Sequence, residues 1–443
     1  MTGAALEAVA RAVAEADPLP LTGTVVRAAG LILEAALPRV PVGTSCEIRA
    51  ADGKAVMAEV VGFFGQTARL MPLADIHGIG EGCTVVPRTS ADRVPVGDAL
   101  LGRVIDASAR PLDGGPVPML RGRGRLHASP PPAMQRRRVT RPIALGIRAV
   151  DACLTIGEGQ RIAVLAGPGV GKSVLLGMIA RSAEADVVVV GLVGERGREV
   201  RDFIERDLGE GLARAVVVVA TSDESPLKRV RAALVATAVA EHFRAAGKRV
   251  LLLLDSLSRV AQAQREIGLA AGEPPTTKGY PPSAFAILPR LLERAGNDAG
   301  TGSITGFYTV LAEGDDPTDP VADAARATLD GHIVLARSLA EAGHFPAIDV
   351  LASISRVMSD VADPAHRALA REVRDVLAAH REASDLIEVG AYAAGSNPRI
   401  DRAVRCIREL DALLRQGPAE RTPLPETLAA LRRALETPEV KGA

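Results

Sequence analysis

The hydrophobic positions of the first part of the chain recur in short pieces. Residues 22–88 contain six of them, TVVRA, LILEAA, SCEIRA, AVMAEVVGFF, TARLMPL and CTVVPR, separated by turn residues such as Asp52-Gly53 and Gly65-Gln66. Short strands that follow one another so closely are typical of a small closed β-barrel. Before them, Leu6 and Val13 share one stripe of a predicted helix over residues 4–16.

Longer apolar runs occupy the centre of the chain. Between residues 161 and 337 they read IAVLA, VVVVGLV, AVVVVA, VLLLL, ITGFYTVLA and HIVLA, and helix-like segments such as 173–183 and 227–246 separate several of them. Unbroken β-branched runs alternating with helices predict a parallel sheet that is covered on both faces. After Met358 the apolar spacing becomes helical, as in the stripe that includes Ile400 and Val404.

These textures predict an α/β protein with five segments along the chain. The segments are an amphipathic amino-terminal helix (1–20), a β-barrel domain (21–90), a linker rich in Pro, Gly and Arg (91–150), an α/β domain with a parallel sheet (151–358) and a helical domain (359–443). The sequence therefore predicts a central α/β domain between two smaller ones.

A phosphate-binding loop is the clearest motif. The strand IAVLA leads into AGPGVGKS and then into the helix-like VLLGMIARSA, which is the strand–loop–helix context that this motif requires. Its backbone N–H groups would surround phosphate oxygens, its lysine would bind the β- and γ-phosphates, and its serine hydroxyl would bind Mg²⁺. The predicted ATP-binding residues are Ala166, Gly167, Pro168, Gly169, Val170, Gly171, Lys172, Ser173 and Val174.

Two further strands end in carboxylates. The run VLLLLD ends in Asp255, which suits a second contact to the magnesium ion of ATP. The run VVVVGLVG ends in Glu-Arg-Gly-Arg-Glu, and we expect its strand to lie beside the strand of the phosphate loop. Glu195 is then the candidate that orients the attacking water, and Arg196 the candidate for the γ-phosphate. Arg198 and Glu199 are expected to pair with each other on the surface.

Composition narrows the function classes. The 443 residues carry a formal net charge of zero, so no overall attraction to nucleic acid or to an anionic membrane is implied. No apolar run approaches the roughly 20 residues that a membrane span needs. The four cysteines are widely spaced, which is typical of reduced thiols in a cytoplasmic protein.

The sequence resembles the ATPases of bacterial type III export systems, which are relatives of the catalytic subunit of rotary ATP synthases. The segments that carry the resemblance are AGPGVGKSVLLGMIAR, LVGERGREV, ATSDESPLKRVRAALVATAVAEHFR, the stretch from LLLLDSLSRV to LLERAG, GSITGFYTVLAEGDD and HFPAIDVLASISRVM. Within that family, TSDESPL and ITGFYTVL are more similar to the flagellar members than to the injectisome members.

The resemblance implies a RecA-like ATPase domain and a role for several residues. It assigns the catalytic carboxylate to Glu195, an arginine finger to Arg356 that reaches a neighbouring subunit, and adenine contacts to Phe345 and Tyr392. Spacing alone favours a core position for Phe345 and a surface salt bridge for Arg356. The cofactors implied are ATP and Mg²⁺.

The resemblance also implies partners. It predicts a homo-oligomeric ring, a hexamer, with ATP sites between subunits, and places residues 273–282 at the centre of the ring near a stalk-like protein. The amino-terminal helix would meet a stator-like regulatory protein, and the ring would handle export substrates and their chaperones. The expected location is the cytoplasm, at the periphery of the export gate in the inner membrane. A simple amphipathic cap on the barrel is the alternative for the helix.

Three other functions are alternatives to this interpretation. A non-catalytic ring subunit would carry Gln at the position of Glu195, which this chain does not. A nucleic-acid translocase would need a basic groove with stacking aromatic residues, whereas Phe63 and Phe64 are the only aromatic residues in 22–88. The basic run 135–141 is more typical of a solvated linker. An injectisome ATPase has the same catalytic residues as a flagellar one.

Overall fold

A closed six-stranded barrel forms the first folded unit of the computed structural model, which describes residues 21–37, 40–50, 52–88, 92–311 and 319–436. Its strands are β1 (Gly23–Ala29), β2 (Ile32–Ala36), β3 (Ser45–Arg49), β4 (Ala55–Phe64), β5 (Thr67–Pro72) and β6 (Thr84–Arg88). They close in the order β1-β2-β5-β4-β3-β6. Alternate side chains such as Val56, Ala58 and Val60 fill the interior, which confirms the predicted barrel.

The amino-terminal helix that the sequence predicts over residues 4–16 lies outside the described residues. Among the described helices, none is long and apolar enough to cross a membrane. All four cysteines are free thiols, and three of them are buried, as expected from their spacing.

The second folded unit is built on a nine-stranded sheet. The remaining strands are β7 (Arg93–Val96), β8 (Arg103–Asp106), β9 (Gly122–Arg125), β10 (Arg161–Ala166), β11 (Val187–Glu195), β12 (Ala215–Thr221), β13 (Arg249–Asp255), β14 (Gly296–Asn297), β15 (Ser303–Leu311), β16 (Gly331–Leu335) and β17 (Ile348–Ser355). The sheet runs β17-β16-β10-β15-β13-β11-β12-β8, with β14 beside β15, while β7 and β9 form a separate ribbon.

The central strands are parallel, as their unbroken apolar runs predict, and β17 adds an antiparallel edge. One expectation was wrong. β11 does not lie beside β10, because β15 and β13 are inserted between them. The order of strands along the chain does not fix their order in a doubly wound sheet, since each crossover can place its strand on either side. The carboxyl ends of the parallel strands still share one edge of the sheet.

Helices cover the sheet and form the carboxyl-terminal region. They are α1 (Arg148–Cys153), α2 (Lys172–Ser182), α3 (Gly197–Asp202), α4 (Pro226–Ala245), α5 (Leu257–Ala271), α6 (Pro282–Leu292), α7 (Pro320–Thr328), α8 (Arg337–Glu341), α9 (Met358–Val361), α10 (Pro364–Glu388), α11 (Pro398–Leu414) and α12 (Leu424–Leu435). Their start signals are visible in the sequence. The Asp363 carboxylate, for example, accepts from the backbone N–H of His366, with Pro364 at the first helical position.

The segment 91–150 is more ordered than its Pro, Gly and Arg content suggests. It supplies β8, which pairs with β12 at the edge of the sheet. Its basic run is also bound to the protein itself. Arg136 donates to the carbonyl oxygen of Ala295 at 3.2 Å, and Arg137 donates to that of Gly302 at 2.9 Å. These two guanidinium groups therefore hold the segment in place.

Candidate functional site: a nucleotide-binding loop and its carboxylates

The loop between β10 and α2 has the backbone conformation that a phosphate-binding loop requires. Gly169 and Gly171 have φ values of 79° and 91°, in the left-handed region that favours glycine. Gly171 is also the residue before the first turn of α2, whose free N–H groups point towards the loop. The positive end of an 11-residue helix is thus aimed at the place where phosphate would bind.

Lys172 links the two predicted carboxylates. Its Nζ lies 2.6 Å from Oδ1 of Asp255 and 3.3 Å from Oε1 of Glu195. The hydroxyl of Thr309 donates to the same Asp255 oxygen at 2.6 Å. The sequence motifs predict the first three residues but not Thr309, which lies inside the largely apolar run ITGFYTVL and belongs to no motif.

The charged groups of this cluster shift the pKa values of Lys172 and Glu195. Burial raises the pKa of Glu195 to about 7, and the nearby charge of Asp255 acts in the same direction, while Lys172 acts in the opposite direction. Burial acts to lower the pKa of Lys172, but Asp255 and Glu195 together outweigh it, so that the pKa of Lys172 is raised. The lysine is therefore held charged, and the glutamate is poised to change its protonation near neutral pH.

A cavity of about 470 Å³ lies over the loop. Its lining residues are Gly167, Pro168, Gly169, Gly171, Lys172, Ser173, Val174, Gly194, Glu195, Arg196, Glu199, Ser222, Arg259 and Leu311. Three polar or charged members of this set were not predicted. Ser222 follows β12, Arg259 lies in the first turn of α5, and Glu199 was assigned to a surface pair only. The position of Arg259, four residues after Asp255, was the available signal.

Gly194 explains why the motif reads Val-Gly-Glu. Its φ is 72°, and a Cβ atom there would come within 2.9 Å of the Cβ atom of Arg259. A larger residue would push Arg259 away and displace the strand end that carries Glu195. The glycine thus permits a close approach between the two sides of the cavity.

Arg196 lines the cavity, but its side chain is 82% exposed and lies 3.7 Å from Glu199. The expected pair between Arg198 and Glu199 is not formed. Residues 197–202 are helical, so that charges three or four positions apart face each other, and Arg198 pairs with Asp202 instead.

Phe345 lies close to the phosphate loop. A Cβ atom at Gly171 would be 3.5 Å from Cδ1 of the Phe345 ring, and the residue is 45% exposed. It has an open face for a planar group next to the site where phosphate would bind. Tyr392 is in a different place, the loop between α10 and α11, where its hydroxyl donates to Asp401 at 2.9 Å. Neither Phe345 nor Tyr392 is among the residues that line the cavity.

Arg356 lies at the amino ends of the parallel strands, whereas the phosphate loop lies at their carboxyl ends. Ser355, the last residue of β17, pairs with Gly331 at the start of β16. The Arg356 amide donates to the Asp330 carbonyl at 3.0 Å, next to Arg161 at the start of β10. The phosphate loop begins at the other end of β10, about five residues and roughly 16 Å away. The exposed Arg356 side chain, which donates to the carbonyl of Arg326, cannot reach the loop of its own subunit.

Comparisons with known proteins agree with this geometry. The family models for the β-barrel domain and the nucleotide-binding domain of the ATP synthase alpha/beta family match residues 25–88 and 146–355, and the model for the T3SS EscN ATPase C-terminal domain matches residues 362–433. The chain is 53% identical over 421 residues to the "Flagellum-specific ATP synthase" of Salmonella typhimurium, covering 92% of both chains.

The chain belongs to the ATP synthase alpha/beta family. It is 51% identical to the "Type 3 secretion system ATPase" of Sinorhizobium fredii, over 94% of this chain and 93% of that one. Among solved structures, the assembled ATPase EscN of enteropathogenic E. coli superposes with a TM-score of 0.89 at 41% identity, over 93% of this chain and 100% of that one.

Membership of this family makes the chain an ATP hydrolase, with a nucleotide as substrate. It also confirms the predicted architecture: a barrel, a nucleotide-binding domain with a parallel sheet, and a helical carboxyl-terminal domain. The individual roles of the site residues rest on the geometry described above.

The raised pKa of Glu195 leads to a prediction about stability. Folding raises this pKa from 4.5 to about 7, so the stability associated with the protonated group is fully present below pH 4.5 and is lost as the pH rises to about 7. Glu195→Gln removes the buried charge. We expect the variant to be more stable than the wild type at pH 8, by roughly 3 kcal/mol at most, and no more stable near pH 4.5.

Thermal unfolding at the two pH values measures this difference. Glu205→Gln is the matched control, because Glu205 is an exposed carboxylate in the segment after the same strand, paired with Arg201 at 2.7 Å. It should show little change at either pH. Equal stability of wild type and Glu195→Gln at pH 8 would contradict the raised pKa.

Proposed function

We propose that this protein is the ATPase of a flagellar-type protein-export apparatus, in which ATP hydrolysis drives or assists unfolding, chaperone release and export of flagellar proteins. The observation that carries the proposal is the cluster at the phosphate loop, in which Lys172 is hydrogen-bonded to both Glu195 and Asp255. The similarity to proteins named flagellum-specific ATP synthase extends over nearly the whole chain, at 53% identity to the Salmonella protein and 51% to the Bacillus subtilis protein.

In this proposal the nucleotide is bound by the loop and by Phe345. Backbone N–H groups of 166–174 and the Lys172 ammonium bind the phosphates, and the Phe345 ring stacks on adenine. When ATP enters, Lys172 exchanges its carboxylate partners for phosphate oxygens. Glu195, in its ionised form, then accepts a hydrogen bond from the water that attacks the γ-phosphate. Arg196 and Arg259 approach the same phosphate from the cavity wall.

The donors at the loop fit Mg²⁺. Magnesium is usually bound by one or two carboxylates together with substrate phosphates, and it keeps several waters. Ser173 offers a hydroxyl, and Asp255 a buried carboxylate whose described side-chain hydrogen bonds both end on Oδ1. These two residues would hold the ion, directly or through water. A bound Mg²⁺ would neutralise charge that develops on the phosphates.

Arg356 is the candidate for a catalytic group that one subunit supplies to another. This arginine lies at the amino ends of the parallel strands, away from the phosphate loop of its own subunit. We therefore propose that it acts on the ATP of a neighbouring subunit in a homo-oligomeric ring, a hexamer. The solved relative EscN is described as an assembled ATPase, and a second structure describes it in complex with its central stalk, EscO. By analogy, residues 273–282 would face a stalk-like protein at the centre of the ring.

Other partners follow from the same proposal. Export substrates and chaperones would engage the ring, and a stator-like protein would bind the amino-terminal helix, whose residues lie outside the described part of the chain. The ring would act in the cytoplasm, at the periphery of an inner-membrane export gate. Tyr392, whose hydroxyl donates to Asp401, would be a second contact to adenine.

A gene deletion tests the export function. We expect the deletion strain to lack flagellar filaments in electron micrographs and to lose swimming, and we expect the wild-type gene, but not Lys172→Ala, to restore both. Secretory relatives are nearly as similar as flagellar ones, at 51% against 53% identity, so the phenotype separates the two. Normal filaments with lost secretion of other proteins would assign the chain to an injectisome. No change in either would contradict an export function and favour nucleic-acid translocation.

A further inference from the structure

The loop that carries Phe345 is held by two contacts to the end of α11 and the turn after it. The Nδ1 atom of His344 lies 2.8 Å from Oδ1 of Asp411, and the His344 side chain is only 7% exposed. The carbonyl of Phe345 accepts from the backbone N–H of Gln416 at 2.8 Å. A carboxylate can only accept, so Nδ1 of His344 carries the proton in this bond. The exposed ring itself is therefore placed by its neighbours.

The end of α11 is in turn fixed to the first residues of the nucleotide-binding domain, Gly146 and Arg148. The Gln416 side chain is buried, with its Oε1 accepting from the backbone N–H of Arg148 at 2.9 Å and its Nε2 donating to the Gly146 carbonyl at 2.7 Å. The Arg148 guanidinium donates to the carbonyl of Leu413 at 2.8 Å, at the carboxyl end of the helix. Both the oxygen and the nitrogen of the Gln416 amide are thus used to hold the turn after α11.

We propose that Asp411 and Gln416 are positioning residues for ATP, which hold the Phe345 ring against the phosphate loop. They would thereby connect the binding of adenine to the position of α11. This inference rests on the proposed contact between Phe345 and adenine. A ring that is already placed loses less freedom when the base binds, which strengthens binding. By linkage, the factor by which the His344–Asp411 contact strengthens the binding of adenine is also the factor by which bound adenine stabilises that contact.

Asp411 can be tested separately from its other partner. Its second oxygen, Oδ2, accepts from Arg415 at 2.8 Å within the same helical turn, so Arg415→Ala removes that pair and leaves His344 untouched. Asp375→Asn is a second control, since Asp375 pairs with Arg399 between α10 and α11, away from the Phe345 loop. Asp411→Asn keeps an oxygen acceptor for His344, whereas Asp411→Ala removes it.

The experiment measures KM and kcat for ATP, and the affinity for ADP, in the assembled full-length protein. We expect Asp411→Ala to raise KM and the dissociation constant of ADP by about three- to tenfold with kcat changed less than about twofold. Asp411→Asn should restore most of the loss, and the two controls should resemble the wild type. Hydrogen exchange at residues 411–416 should slow when ADP binds to the wild type, but not when it binds to Asp411→Ala.

A double-mutant cycle with Phe345→Ala decides the mechanism. If Asp411 acts through the ring, the double variant should bind ATP no more weakly than Phe345→Ala alone. Multiplied losses, or an Asp411→Ala effect on kcat instead of KM, would overturn the positioning role while leaving the adenine contact intact. An unchanged KM in Phe345→Ala itself would refute the adenine contact, and with it this inference.

Discussion

Glu195→Gln is expected to lower kcat for ATP hydrolysis by about 10²–10⁴-fold while ATP still binds. The carboxylate is at the end of β11, its side chain is 14% exposed, and it lies 3.3 Å from the lysine of the phosphate loop. Gln has nearly the same shape and can still form hydrogen bonds, but it cannot accept a proton from the attacking water. The variant therefore loses the orientation and activation of the water and keeps the binding of phosphate.

Hydrolysis rates and the binding of a fluorescent ATP analogue, measured on the same preparations, separate these two effects. Lys172→Ala provides the contrast, because removal of the ammonium should weaken binding itself. Glu205→Gln controls for a general effect of removing a carboxylate nearby, since its side chain is 62% exposed. If Glu195→Gln still hydrolysed ATP at near the wild-type rate, another group would have to be the base, and Glu199 is the other carboxylate that lines the cavity.

Most of the site could be predicted because its residues are fixed by local sequence. The glycines at 169 and 171, with positive φ, belong to a motif that the amino-acid sequence displays directly. Glu195 and Asp255 each follow an unbroken apolar strand, and parallel strands bring their carboxyl ends to one edge. The motif and the sheet therefore predicted both carboxylates beside the loop, even though the order of the strands was predicted wrongly.

The remaining site residues depend on contacts that no local pattern records. Thr309 is one polar residue in a buried apolar run, and its role appears only when β15 is placed beside β13. Arg259 follows Asp255 by four residues in the sequence, but it reaches the cavity only because Gly194 leaves space for it. Arg356 is hardest to interpret from sequence alone. An arginine after a strand is most often part of a surface salt bridge, and only the antiparallel direction of β17 shows that it is turned away from its own loop.

That direction leads to the second large effect, the recovery of activity in mixed rings. Arg356→Ala and Lys172→Ala are each expected to lose activity, the first by about 10³–10⁵-fold if the arginine acts as a finger. In rings that contain both variants, some interfaces combine the intact loop of an Arg356→Ala subunit with the intact arginine of a Lys172→Ala subunit. With random mixing at equal amounts, about a quarter of the head-to-tail interfaces should be complete.

Co-expression of the two variants at several ratios, followed by purification and ATPase assays, measures this recovery. We expect a maximum near equal amounts, at up to about a quarter of the wild-type rate if the interfaces act independently.

The structure offers a matched control for the mixing experiment. Lys172 and Glu195 belong to the same subunit's site, 3.3 Å apart, so mixtures of Lys172→Ala with Glu195→Gln can never assemble a complete site. Recovery in the Arg356 mixture but not in this one would require that the arginine act across an interface. Absence of recovery at every ratio, in rings shown to contain both variants, would contradict a finger in trans. Because Arg356 is too far from its own loop to act there, it would then have no direct part in the reaction.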